Sequence, residues 1–165
     1  MPQQNIFTEI SRVEINPARA IEFVSDASQG AIDTFIGIVR NNHSGKKVTG
    51  ITYDVHDILA SNTFQEICAE AQGIWPGTRY FVSHFQGELK VGDISIVIAV
   101  SSPHRAESFE ACRYVIEEIK KRAPVWKKEH YHDGISDWLP GHSLNSDAQD
   151  SIICCGRCEG KQHAG

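Results

Sequence analysis

The chain has no apolar run long enough to cross a bilayer, and Met1 to Ile10 lack the apolar core of a secretion signal. A cytoplasmic location is therefore expected. Basic charge is scarce: 16 Lys and Arg stand against 21 Asp and Glu, a net charge of −5. That excludes general nucleic-acid binding, which needs a broad basic face. Five cysteines without a secretion signal do not make a disulfide framework in 165 residues. No Walker loop, dinucleotide fingerprint, serine elbow or internal repeat is present. The apolar content of 41% and charged content of 22% are those of an ordinary globular domain, long enough to bury a real core.

Asn16-Pro17 reads as a helix N-cap followed by proline at the first helical position, and that helix stops before Gly30. Ala31 to Arg40 is rich in β-formers and reads as a strand ending at a polar turn, Asn41 to Lys46. Ile51 to Val55 is a second short strand. Ala60, Phe64, Ile67, Cys68 and Ala71 recur at helical spacing before Trp75-Pro76-Gly77. Arg79 to Phe85, Glu88 to Lys90 and Asp93 to Ser101 read as three antiparallel strands with short turns. The last is apolar on both faces and therefore central. Phe109, Cys112, Ile116, Ile119 and Ala123 form the stripe of a third helix that Pro124 ends. Val125 to Tyr131 is extended. This pattern predicts an α+β fold with a mainly antiparallel sheet and three main helices. Residues 1–140 form the domain, and 141–165 form a mobile tail bearing Cys154, Cys155 and Cys158.

Three constellations can carry chemistry. Ser101-Ser102-Pro103-His104-Arg105 lies where a buried strand meets a helix start, whose unpaired N–H groups attract anions. A helix cap with two exposed polar residues explains it equally well. Lys120, Lys121, Arg122, Lys127 and Lys128 place five cations within nine residues of an acidic protein. Lysines near a helix C-terminus are often just favoured by its dipole. Lys127, however, sits on an apolar strand beside Trp126, where partial burial would make it a usable proton donor or acceptor. Arg40 closes a strand with Gly37 in its middle, a common mark of a bulge or close approach. His130 and His132 lack a convincing third metal ligand. Cys155-Gly156-Arg157-Cys158 is a lone pair of thiols, equally open as a weak metal site or a plain tail.

Gly30-Ala31 through Phe35, Gly37, Val39, Arg40 and Asn41 resembles the GAxxxFxGxVRN signature of molybdopterin synthase large subunits. Gly87-Glu88-Leu89 with Gly92-Asp93 resembles their GELxxGD turn. The block from Ser102 to Glu129, with its HR, FEAC, IK and APVWKKE, is the most specific match. The resemblance runs over about residues 8 to 138. It implies an α/β hammerhead-type fold and a sulfurtransferase. Sulfur passes from the thiocarboxylated C-terminus of a small ubiquitin-like subunit to cyclic pyranopterin monophosphate, forming the molybdopterin dithiolene. It further implies catalytic roles for Lys120, which meets the thiocarboxylate, and Lys127, which transfers protons or binds substrate. Ile38, Val39, Arg40, His104, Arg105, Lys128 and Glu129 would bind substrate. No metal or other cofactor is needed, and the assembly is a homodimer within a heterotetramer. A catalytically silent scaffold for the ubiquitin-like carrier is the alternative.

Two departures stand out. His84-Phe85 occupies a place where the family commonly has His-Arg. Leu139-Pro140-Gly141-His142 stands where a further arginine often serves the neighbouring protomer.

Overall fold

The computed structural model describes residues 4–134, 136 and 138–140. The expected tail and its three cysteines lie outside the described residues. The elements run β1 (Ile6–Ser11), α1 (Pro17–Val24), β2 (Ala31–Ile38), β3 (Asn42–His43), β4 (Lys46–Val55) and α2 (Asp57–Ile74). They continue with β5 (Arg79–Phe85), β6 (Gly87–Lys90), β7 (Ile94–Ser102), α3 (Arg105–Arg122), β8 (Val125–Tyr131) and β9 (Trp138–Pro140).

Two sheets result, and the α+β class holds. The first has the order β1-β5-β7-β2, antiparallel except where β1 runs parallel to β5. Helices α2 and α3 bury Phe64, Ile67, Cys68, Ala111, Cys112 and Val115 against one face of it. Helix α1 buries Ala20 and Val24 against Phe81, Val97 and Ala99 on the other. With both faces covered, β5 is buried throughout and β7 is buried beyond Ile94. The second sheet is built on the long β4, which pairs with β3, β6 and β8, while β9 adds to β8. Among the described residues, no helix is long and apolar enough to cross a membrane.

Several expectations are corrected. β6 does not join β5 and β7; it crosses to β4 in the other sheet, with Gly50 opposite Lys90 and Tyr53 opposite Gly87. The polar turn after β2 is instead a hairpin, β3 to β4, closed by Ser44 at φ 49° and Gly45 at φ 78°. Positive φ at both central residues matches the right-handed twist of the paired strands. The buried face of α3 is Ser108, Ala111, Cys112, Val115 and Ile119, so Phe109 lies to one side of it and is 56% exposed. Ser108 fits the same 3.6-residue period, and its hydroxyl is satisfied by donating to the Arg105 carbonyl.

Candidate active site

A cavity of about 670 Å³ opens where β2 ends, between the last turn of α3 and the face shared by β4 and β8. Its apolar floor comes from Phe35, Ile36, Ile38, Ile51, Ile96, Ile116 and Ile119, and its cations are Arg40, Lys120, Lys121 and Lys127. Local structure explains the convergence. β4 and β8 pair antiparallel with Tyr53 opposite Lys127 and Ile51 opposite Glu129, so these four side chains share one face. Lys120 arrives on the last turn of α3, which ends at Arg122 before Pro124. The β2–β7 register shifts between Gly37 and Ile38, and Arg40 follows two residues on. Gly37 is required there: a Cβ would come within 2.7 Å of Ile96 Cγ2. Its carbonyl accepts from Ser95 Oγ at 3.1 Å.

The cavity carries uncompensated positive charge. Arg40 and Lys120 are both exposed, and neither has an ion-pair partner among the described residues. Lys121 is paired with Glu118 at 2.9 Å. Lys127 lies 3.0 Å from Glu129, and both side chains are largely buried. Glu129 also accepts from His43 Nδ1 at 2.8 Å and from the Tyr131 hydroxyl at 2.6 Å. Burial alone would raise its pKa, but the bonds from Tyr131, Lys127 and His43 outweigh it and hold the carboxyl below its usual range. An α-helix C-terminus carries partial negative charge, and the Lys120 ammonium on the last turn of α3 offsets it. At the back of the cavity, the His84 imidazole is pushed down to about 4 by burial. It packs edge-on against Tyr53 at 5.1 Å, and burial raises the phenol of Tyr53.

Of the residues expected from the sequence, Ile38, Arg40, Lys120, Lys127 and Glu129 line this one cavity. Val39 does not. Its side chain is buried in the α1-side core, its N–H donates to Asp93 and its carbonyl accepts from Gly92. Lys128 alternates to the other face of β8, over the Trp138 ring at 5.9 Å. His104 and Arg105 sit at the opposite end of α3 from Lys120, about 22 Å away along the helix at 1.5 Å per residue. Both are exposed, and no side chain caps that helix start. Phe85, where the family pattern has arginine, is buried in the α1-side core, so the position is a packing one here. Sequence reasoning missed His43, Tyr53, His84 and Ser95 as cavity residues. Alternation from Ile51 could have pointed to Tyr53, but only strand pairing brings in the other three.

Fold and cavity together define an α+β protein with one apolar-floored cavity into which Arg40, Lys120 and Lys127 converge. The family model described as MoaE protein matches residues 10–122. The molybdopterin synthase catalytic subunit of Synechococcus elongatus is 47% identical over 137 residues, 82% of this chain and 83% of its own length. The chain belongs to the MoaE family of molybdopterin synthase catalytic subunits. Its fold matches the solved molybdopterin synthase of Staphylococcus aureus with a TM-score of 0.74 at 37% identity, over 84% of this chain and 98% of that one. A structure described as a complex of subunits 1 and 2 of molybdopterin-converting factor from Helicobacter pylori shares the fold alone, at 22% identity and a TM-score of 0.61, over 78% of this chain and 86% of that one.

Proposed function

We propose that this chain performs the sulfur-inserting step of molybdopterin formation. The thiocarboxylated tail of a small ubiquitin-like subunit enters the cavity, and its sulfur passes to cyclic pyranopterin monophosphate in two rounds. The convergence of Arg40, Lys120 and Lys127 on one apolar-floored cavity carries this reading. A thiocarboxylate and a phosphate are both anions, and the two unpaired cations suit one of each. Lys120 meets the thiocarboxylate. Arg40 holds the phosphate, and the isoleucine floor takes the flat pterin. Lys127, with its ammonium inside the cavity, moves protons or holds substrate. A silent scaffold would need Lys120 for the carrier's anionic tail, but not Arg40 and a largely buried Lys127 in the same cavity.

His104 and Arg105 join this scheme through a second copy of the chain. β2 is the edge of its sheet and leaves Ile32, Ile36 and Ile38 exposed at 40%, 41% and 61%. An apolar edge strand invites pairing with another chain. Ala31 lies opposite Ser102, so the start of β2 adjoins the loop to His104, while its end adjoins the cavity. Two β2 strands related by a two-fold axis therefore set the His104 and Arg105 of one protomer beside the cavity of the other.

Single-turnover dithiolene formation, with thiocarboxylated small subunit and cyclic pyranopterin monophosphate, tests the proposal. Lys120→Ala should cut the rate at least 100-fold with fold and assembly intact, about the loss seen when one transition-state electrostatic contact is removed. A rate within a few-fold of the parent would sink the assignment.

A further inference from the structure

Along one face of β8 run Lys127, Glu129 and Tyr131, two residues apart, so their side chains stand in a row. The middle member is a buried carboxylate, 3% exposed, on which three donors converge. Lys127 Nζ and His43 Nδ1 share its Oε1 at 3.0 and 2.8 Å, and the Tyr131 hydroxyl takes Oε2 at 2.6 Å. An ionised carboxylate only accepts hydrogen bonds. It repels a phosphate or a thiocarboxylate, so Glu129 is poorly suited to touch either anion directly. Its visible work is to hold an ammonium.

We propose that Glu129, His43 and Tyr131 form a positioning bracket that fixes the Lys127 ammonium inside the cavity. Lysine has a flexible four-carbon stem, and its ammonium is precise only where partners restrain it. Glu129 is the restraint. His43 and Tyr131 in turn fix the carboxylate, one on each oxygen, so that Oε1 faces Lys127. The β3–β4 hairpin exists in this scheme to deliver His43. Its tight turn at Ser44 and Gly45 folds Asn42–His43 back onto β4, whose Val48 and Ile51 lie opposite Tyr131 and Glu129. The outer side of the Tyr131 ring is covered by Lys46 Nζ, 5.3 Å from its centroid. The proposal rests on the reading of Lys127 as a working residue of the cavity and adds three residues that act through it.

The test uses the assembled enzyme and a double-mutant cycle. Tyr131→Phe should lower the single-turnover rate about tenfold at saturating substrate, with the half-saturating concentration within twofold of the parent. In a Lys127→Ala background the same change should have no further effect. His43→Gln, which keeps a donor, should retain more activity than His43→Ala. An equal loss from Tyr131→Phe in both backgrounds would overturn the bracket, as would a raised half-saturation at unchanged rate. A fully active Lys127→Ala would remove Lys127 itself from the chemistry, a failure distinct from that of the bracket. A second measurement needs no turnover: acylation of individual lysines by an acetyl ester of N-hydroxysuccinimide, read by mass spectrometry. Glu129→Gln should acylate Lys127 at least threefold faster while Lys120, which has no carboxylate partner among the described residues, stays unchanged. Equal labelling of Lys127 in both proteins would overturn the proposal even where Lys127→Ala has no measurable rate.

Discussion

His84 shows how one side chain can serve the cavity wall at a cost in acid tolerance. Its Nδ1 donates to the Phe85 carbonyl, and burial keeps the ring neutral down to about pH 4. The unfolded chain takes up that proton near 6.5, the ordinary value. Between those two pH values the unfolded state binds more protons, so stability falls as pH falls. The loss from this one group is on the order of 3 kcal/mol by pH 4. His84→Gln should remove that part of the slope, seen in urea unfolding midpoints measured from pH 7 to pH 4. A parent and variant with parallel pH profiles would contradict the assignment. Cys68 and Cys112 are the opposite case, since burial pushes both thiols up to about 12. They are packing residues without nucleophilic use.

At the scale of elements, the joints between strands and helices place the chemistry. Gly30, the first residue of the signature, donates its N–H to the Ser102 carbonyl where β2 meets the end of β7. A Cβ there would stand 2.4 Å from the Pro103 carbonyl oxygen, a backbone atom that cannot step aside cheaply. Gly30→Ala should therefore cost about 1–3 kcal/mol through overpacking. A thermal midpoint lowered by several degrees would show it, and an unchanged midpoint would refute it. Helices α2 and α3 are tied at the cavity end by Arg122, whose guanidinium donates to both oxygens of Glu70 at 2.6 and 3.0 Å. This fork fixes the last turn of α3, and with it Lys120.

For the whole molecule, the proposed assembly turns on the open edge at β2. Ile36 and Ile38 line the cavity and also sit on the exposed face of the edge strand. In the proposed two-fold pairing, a second copy covers that face, closes the cavity and brings in His104 and Arg105 from the other side. Ile36→Asp should give a folded monomer by light scattering, with little activity. A dimer of unchanged stability would move the interface elsewhere. Mixing and reassorting Arg40→Ala chains with Arg105→Ala chains should restore activity that neither homodimer has, because one cavity of the mixed dimer is then intact. No recovery on mixing would place Arg105 outside the shared site.

Much of this molecule is written in local sequence. The Asn16 cap bonding the Ala18 N–H, the doubly apolar β7 and the proline-stopped α3 all follow from periodicity and backbone chemistry acting over a few residues. Lys120, Lys127 and Arg40 were legible too, because they cluster near element ends and within distinctive motifs. Tertiary structure alone decided the rest. β6 left its sequence neighbours for β4, β1 joined parallel to β5, and His43 came to Glu129 from 86 positions away. Such pairings depend on which long-range partner buries the most surface and satisfies the most backbone groups, and no local window contains that information. The same holds within the site. The lysines are local features, but what each of them touches is a property of the folded chain.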